Sequence, residues 1–117
     1  MALALPGVEE STSYGNVAWK VRGQLFLWER PLRGPDRAEL GDAAPDGPIL
    51  GARVPDEGAK EALIAADPDV YFTTSHFDGY AAVLARLDRL DAAELDELAT
   101  EAWLARAPRK LVKEFLG

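Results

Sequence analysis

Val17-Ala18-Trp19-Lys20-Val21-Arg22-Gly23-Gln24-Leu25-Phe26-Leu27-Trp28 is the stretch whose reading decides the fold. Two runs of large apolar residues, the first alternating with small or charged ones, flank Arg22-Gly23. A two-residue gap whose second member is glycine is the signature of a β-hairpin. With Arg22-Gly23 as the loop, Trp19 is expected to face Phe26 and Val17 to face Trp28 across the ribbon, while Lys20 points away. The pleat would then place an aromatic face toward a core.

Toward the N-terminus, residues 2–5 read as the last turn of a short helix that Pro6-Gly7 stops. Toward the C-terminus, residues 29–48 are interrupted by Pro31, Gly34, Pro35, Gly41, Pro45, Gly47 and Pro48, so a long loop is expected, with one helical turn around residues 36–40. Loops of this length within a compact domain usually form a working surface or move freely. Residues 49–54 return to strand. Pro55-Asp56 then opens a helix that Asp67-Pro68 closes. Val70-Tyr71-Phe72-Thr73 and residues 80–87 make a second hairpin around Thr74-Ser75-His76-Phe77-Asp78-Gly79. Asp91 followed by Glu94 is a capping box that uses aspartate, and Leu95, Leu98, Ala99, Ala102 and Trp103 recur at helical spacing up to Pro108. Residues 109–116 read as a short, basic amphipathic helix. No internal repeat or linker divides the chain, so residues 1–117 are expected to form one α+β domain.

With 117 residues, 48% of them apolar and 28% charged, the chain has the composition of a folded globular domain rather than a disordered one. It contains no cysteine, which excludes disulfides, thiolate metal sites and a cysteine nucleophile and suits a reducing compartment. No run resembles a signal peptide or membrane span, so a cytoplasmic protein without a membrane partner is expected. The net charge of −7 makes it an acidic protein, which disfavours a polyanionic partner. The distribution of charge is uneven, however. Lys20, Arg22, Arg30, Arg33 and Arg37 outnumber Glu29 and Asp36 in the first hairpin and the loop after it. These five form the best candidate for nucleic-acid phosphate contacts, since arginine presents a planar fork to phosphate and a loop can reach a groove as a wing does. A solvated loop is the plainer reading of the same residues. Arg109, Lys110 and Lys113 cluster near a helix C-terminus, where the dipole favours positive charge without any ligand.

His76 is the sole histidine and lies between Ser75 and Asp78. Neighbours in a turn do not make a catalytic triad, whose members must converge from separate elements, and polar turn residues mostly bond their own backbone. No catalytic residue is therefore assigned, and no enzyme activity is expected. Ser13, Tyr14, His76 and Tyr80 remain as candidate ligand-binding residues, although the plainer reading packs Tyr14 on the sheet. One histidine among scattered carboxylates supplies no metal centre. Asp56, Glu57 and Glu61 read as a solvated helix face rather than a cation site. No glycine-rich phosphate loop occurs, and no cofactor is implied.

The order of elements, with Leu5-Pro6-Gly7-Val8-Glu9-Glu10, Ser13-Tyr14-Gly15, Trp19-Lys20-Val21, Ala65-Ala66-Asp67-Pro68, Thr74-Ser75-His76-Phe77-Asp78-Gly79-Tyr80 and Ala107-Pro108-Arg109-Lys110-Leu111, resembles the MmcQ/YjbR-like proteins over nearly the whole chain. The resemblance implies a two-layer sandwich: an antiparallel five-stranded sheet with helices on one face, in the order α-β-β-β-α-β-β-α, similar to secretion chaperones and loosely to frataxin. It also implies a DNA-binding, double-wing surface built from the hairpins. The implied partner is DNA, contacted through Lys20, Arg22, Arg30, Arg33 and Arg37. The competing expectation is a small-ligand or protein-interaction module, including a homodimer, motivated by the net acidity and the aromatic residues Phe77 and Tyr80. Two departures from the family pattern stand out. Its first helix is longer than the residues before Pro6 allow here, and it tends to carry proline at the positions of Ser75 and Ala81.

Overall fold

The structure is a computed structural model that describes residues 4–117. The helical turn expected over residues 2–5 falls largely outside the described residues. Strands β1 (Val8–Ser13), β2 (Asn16–Val21) and β3 (Gln24–Glu29) are followed by helix α1 (Gly34–Leu40), strand β4 (Ile49–Arg53), helix α2 (Glu57–Ala66), strands β5 (Tyr71–Phe72) and β6 (Ala82–Arg86), and helices α3 (Ala92–Arg106) and α4 (Arg109–Leu116). The strands form one antiparallel sheet in the order β1-β2-β3-β4-β6-β5. The α+β class is as expected, with six strands instead of five. The additional strand, β1, is the polar segment Val8-Glu9-Glu10-Ser11-Thr12-Ser13 at one edge of the sheet.

Two tight turns set the first three strands. Tyr14-Gly15 joins β1 to β2 and Arg22-Gly23 joins β2 to β3, and all four residues have positive φ. Such loops match the right-handed twist of the strands they join. The expected pairing across the second turn does not hold. Val21 pairs with Gln24 and Lys20 with Leu25, but then Trp19 pairs with Leu27 and Ala18 with Trp28. Phe26 is the extra residue of a β-bulge, which shifts every later partner by one. Phe26 and Leu27 consequently join the same apolar cluster as Trp19, while Trp28 turns to the other face of the sheet.

On the first face, Trp19, Val21, Phe26, Leu27, Leu50, Ala52, Val83 and Ala85 pack against Leu98, Ala99, Ala102 and Trp103 of α3 and Leu111 of α4. The α3 start is built as its sequence suggests: Asp91 Oδ1 accepts the Glu94 N–H at 2.8 Å, and Glu94 Oε1 accepts the Asp91 N–H at 3.3 Å. Trp103 is completely buried, and its indole N–H donates to the Pro6 carbonyl at 2.9 Å. That bond ties the start of the sheet to the last long helix. The second face carries Ala18, Trp28, Ile49, Phe72, Phe77 and Leu84, with Leu32 and Leu40 packed onto it from the α1 region. A Cβ at Gly51 would sit inside the Trp28 indole, so glycine there lets the ring lie flat on the β4 backbone. Among the described residues, no helix is long and apolar enough to cross a membrane.

Candidate ligand-binding site

The chain leaves β3 at Glu29 and crosses the second face of the sheet before entering α1. Arg30 is buried at this crossing. Its backbone N–H donates to the Ile49 carbonyl at 2.8 Å, and its guanidinium meets Asp36 at 3.2 Å, the Pro31 carbonyl, and the Phe77 ring at 5.3 Å from the centroid. Asp36, also buried, accepts the Arg33 N–H at 2.9 Å. Burial opposes ionisation of Asp36. The Arg33 N–H and the adjacent Arg30 charge outweigh that penalty and hold its carboxyl below the ordinary value. Arg30 and Asp36 thus form a closed ion pair at this crossing, with the Arg33 backbone N–H, not its side chain, completing it.

The segment 74–80 stands opposite. Its first turn is a short 3-10 helix, Ser75–Phe77, and its start is tied to α1 because the Ser75 N–H and hydroxyl both donate to the Glu39 carboxylate. Phe77 is buried beneath the segment, edge-on to His76 with centroids 5.0 Å apart. Tyr80 is half exposed, with the Arg53 guanidinium 4.5 Å from its ring centroid. The aromatic residues Phe77 and Tyr80, which motivated an interaction surface, are therefore one core ring and one rim ring.

Between these walls lies a cavity of about 480 Å³ with Leu25, Trp28 and Leu32 on the apolar side of its lining and Ser13, Tyr14, Asn16, Arg33, His76 and Tyr80 among its polar-tipped residues. Its volume lies within the range typical of small-molecule sites. Tyr14 does not pack on the sheet as one reading of its sequence suggested. It is 90% exposed at the tip of the first turn, with the Arg33 guanidinium 5.5 Å from its ring centroid. Among the described residues, Arg33 has no carboxylate partner, whereas Arg30 does. Glu29 contributes the cavity's one carboxylate. A smaller recess of about 310 Å³ continues past Arg30, Arg33 and His76 toward Asp36, Glu39 and Ser75.

Ser13, Tyr14, His76 and Tyr80, singled out from two distant parts of the chain, all line this one cavity. The five basic residues are distributed differently. Arg30 is buried in its ion pair, Arg33 reaches the cavity and Arg37 is exposed on α1. Lys20 lies near the C-terminal end of β2, and Arg22 occupies the turn that follows, at the opposite end of that strand from Tyr14. Sequence reasoning missed Trp28 as cavity lining, because the bulge that turns it outward leaves no mark in the hydrophobic pattern. It also missed Asp36 as the partner of Arg30. Among the described residues, no group of three or more acidic or histidine side chains gathers to hold a metal. Asp56 is occupied as the N-cap of α2, accepting the Ala59 N–H at 2.8 Å.

A sheet of this topology, with this crossing segment and residues 75–80 beside it, defines a class rather than an activity. Residues 3–105 match the YjbR family model, and the chain belongs to the YjbR family. It is 56% identical over 102 residues to the uncharacterized proteins Rv2570 of Mycobacterium tuberculosis and Mb2600 of Mycobacterium bovis, a match spanning 85% of this chain and 79% of each relative. The crystal structure of Deinococcus radiodurans protein DR2400, with a DUF419 domain, superposes with a TM-score of 0.62 at 21% identity over 88% of this chain and 70% of that one, a likeness of fold alone.

Proposed function

We propose that this protein is a non-enzymatic binding module whose site is the cavity between the Tyr14 turn and residues 75–80, and that its ligand is a compact planar ring bearing a single negative charge. The observation that carries this reading is the convergence of Tyr14, Trp28, His76 and Tyr80 on one cavity beside Arg33, a guanidinium without a carboxylate partner. The rings offer flat apolar contact. Arg33 offers a two-pronged donor to a carboxylate or similar anion. Glu29 at the same cavity repels a second negative charge, which argues against polyphosphates. Ser75, the hydroxyl next to His76, is engaged by Glu39, so these two do not form a nucleophile and base.

The probe is 2-naphthoate, compared with the uncharged 2-naphthamide. Ligand efficiencies for molecules of this size give a dissociation constant on the order of 0.1–1 mM. In an NMR titration, the carboxylate should bind roughly tenfold more tightly than the amide, consistent with one charge-assisted pair. Shifts should concentrate at residues 13–16, 28–33 and 76–80. The substitution Arg33→Gln should abolish the preference. Equal binding of the two probes, or shifts spread away from these residues, overturns the proposal.

The family-type alternative is DNA binding through the first hairpin and the 29–48 segment. It is favoured by Arg33 lying over the exposed Tyr14 ring and by Arg37 beyond it. With about three to five phosphate contacts, duplex affinity would fall with a log–log salt slope of roughly −3 to −4. Fluorescence anisotropy with a short duplex at low salt distinguishes the readings. Binding with that slope, lost in the double substitution Arg33→Gln and Arg37→Gln, replaces the small-ligand proposal.

A further inference from the structure

Lys60 is out of place on α2. Together with Leu63 and Ile64 it lies on the apolar stripe of the helix, and only 4% of its surface is exposed. Long amine side chains usually reach water even when their stems are buried. Lys60 instead turns inward and donates from Nζ to the Phe77 carbonyl at 2.7 Å and the Tyr80 carbonyl at 3.1 Å. Among the described residues it has no carboxylate partner. A buried amine is retained only where oriented dipoles replace its hydration, and here those dipoles belong to the segment that forms one wall of the cavity.

We infer that Lys60 is the positioning residue of the binding site: its ammonium is the template around which residues 75–80 fold, and it sets where His76 and Tyr80 stand. This inference rests on the cavity being the site. The two carbonyls do not need Lys60 for their own satisfaction. The Phe77 carbonyl also accepts the Tyr80 N–H at 3.0 Å, and the Tyr80 carbonyl accepts the Ala82 N–H at 2.8 Å. Lys60 adds a common centre that fixes the two ends of this turn relative to each other and to α2. The segment is otherwise held by the Glu39–Ser75 bonds at its start, by the buried Phe77 ring beneath Arg30, and by Arg53 against Tyr80 near its end. The backbone between Phe77 and Tyr80 would thus be the part released when the ammonium is lost.

The substitution Lys60→Met keeps an unbranched apolar stem and removes all donors. Because both carbonyls retain a backbone donor, the variant should fold. Its affinity for 2-naphthoate should drop about tenfold, as expected for losing hydrogen bonds from a charged donor. Hydrogen exchange at the amides of Phe77, Asp78 and Tyr80 should accelerate while α3 amides keep their protection. In Lys60→Ala, n-propylammonium should restore slow exchange of these amides, and n-propanol of equal length should not. Unchanged exchange in Lys60→Met, or equal rescue by the alcohol, overturns the inference, the latter because filling space would then suffice. Should Lys60→Met unfold, slowly exchanging Lys60 ammonium protons coupled to the two carbonyls in the unmodified protein decide the matter, and their absence refutes it. The exchange and coupling measurements involve no ligand, so a failure of 2-naphthoate to bind counts against the proposed function and leaves the role of Lys60 to be decided separately.

Discussion

Against one face of the sheet, Trp19, Phe26 and Leu27 meet Leu98, Ala102 and Trp103 in a layer of apolar contact closed by α3 and α4. The opposite face mixes Trp28, Phe72 and Phe77 with a buried ion pair, a buried lysine amine held by carbonyls nearby, and an open cavity. Apolar burial gains roughly 25 cal/mol per Å² whatever the geometry. Buried charges roughly break even and demand specific placement. The first face therefore makes the fold stable, while the second fixes the position of particular groups. Evolution of a site can proceed on the second face without dismantling the first.

The largest effect should come from emptying the first face. Replacing the fully buried Trp103 by alanine removes its packing and its bond to Pro6, and should cost about 3–5 kcal/mol in urea denaturation at neutral pH. A loss below about 1 kcal/mol would mean that α3 is not the principal cover of the sheet and would erase the contrast between the faces.

Next in size is Asp36→Asn, which leaves the Arg30 guanidinium buried without its counter-charge. About 3 kcal/mol should be lost at pH 7, together with the geometry of the crossing segment. The Asp36 carboxyl is held below its ordinary value of 3.8 in the folded protein. Its contribution is therefore fully present above about pH 4 and disappears as pH falls through the lower, folded-state value. The stability gap between the unaltered protein and Asp36→Asn should shrink as pH drops from 4 toward 2. A gap that stays constant over that window would show that the carboxylate charge is not what holds Arg30.

How much of this was legible follows the same division. Hydrophobic spacing located the first face correctly: the Trp19 strand, the capped start of α3 at Asp91 and the Leu98–Trp103 stripe are all where periodicity puts them. Arg22-Gly23 marked its turn through the glycine's tolerance of positive φ. Strand β1 was illegible because an edge strand with polar residues on both faces has no alternation to read. The bulge at Phe26 was illegible because a one-residue insertion leaves the composition of the strand unchanged while moving Trp28 to the other face. The second face depends on pairings remote in sequence, such as Glu39 with Ser75 and Lys60 with Phe77. Ser13, Tyr14, His76 and Tyr80 could be singled out by residue type, but nothing in their spacing announces a common cavity. A lysine on the apolar stripe of α2 was the one local signal available for Lys60.

The smallest stability effect, and the sharpest separation of site from fold, belongs to Tyr14. Its ring is 90% exposed, so its removal uncovers almost no core, yet it forms part of the cavity beside Arg33. The backbone at Tyr14 and Gly15 has positive φ at both positions, a conformation for which Asn-Gly is the most favourable pair. Tyr14→Asn should therefore leave the unfolding free energy unchanged or raise it by a few tenths of a kcal/mol. Binding of 2-naphthoate should weaken about three- to tenfold through loss of ring contact. A variant that loses stability as well as affinity would show that the turn depends on tyrosine for its shape, and the two faces would no longer divide the work as their packing indicates.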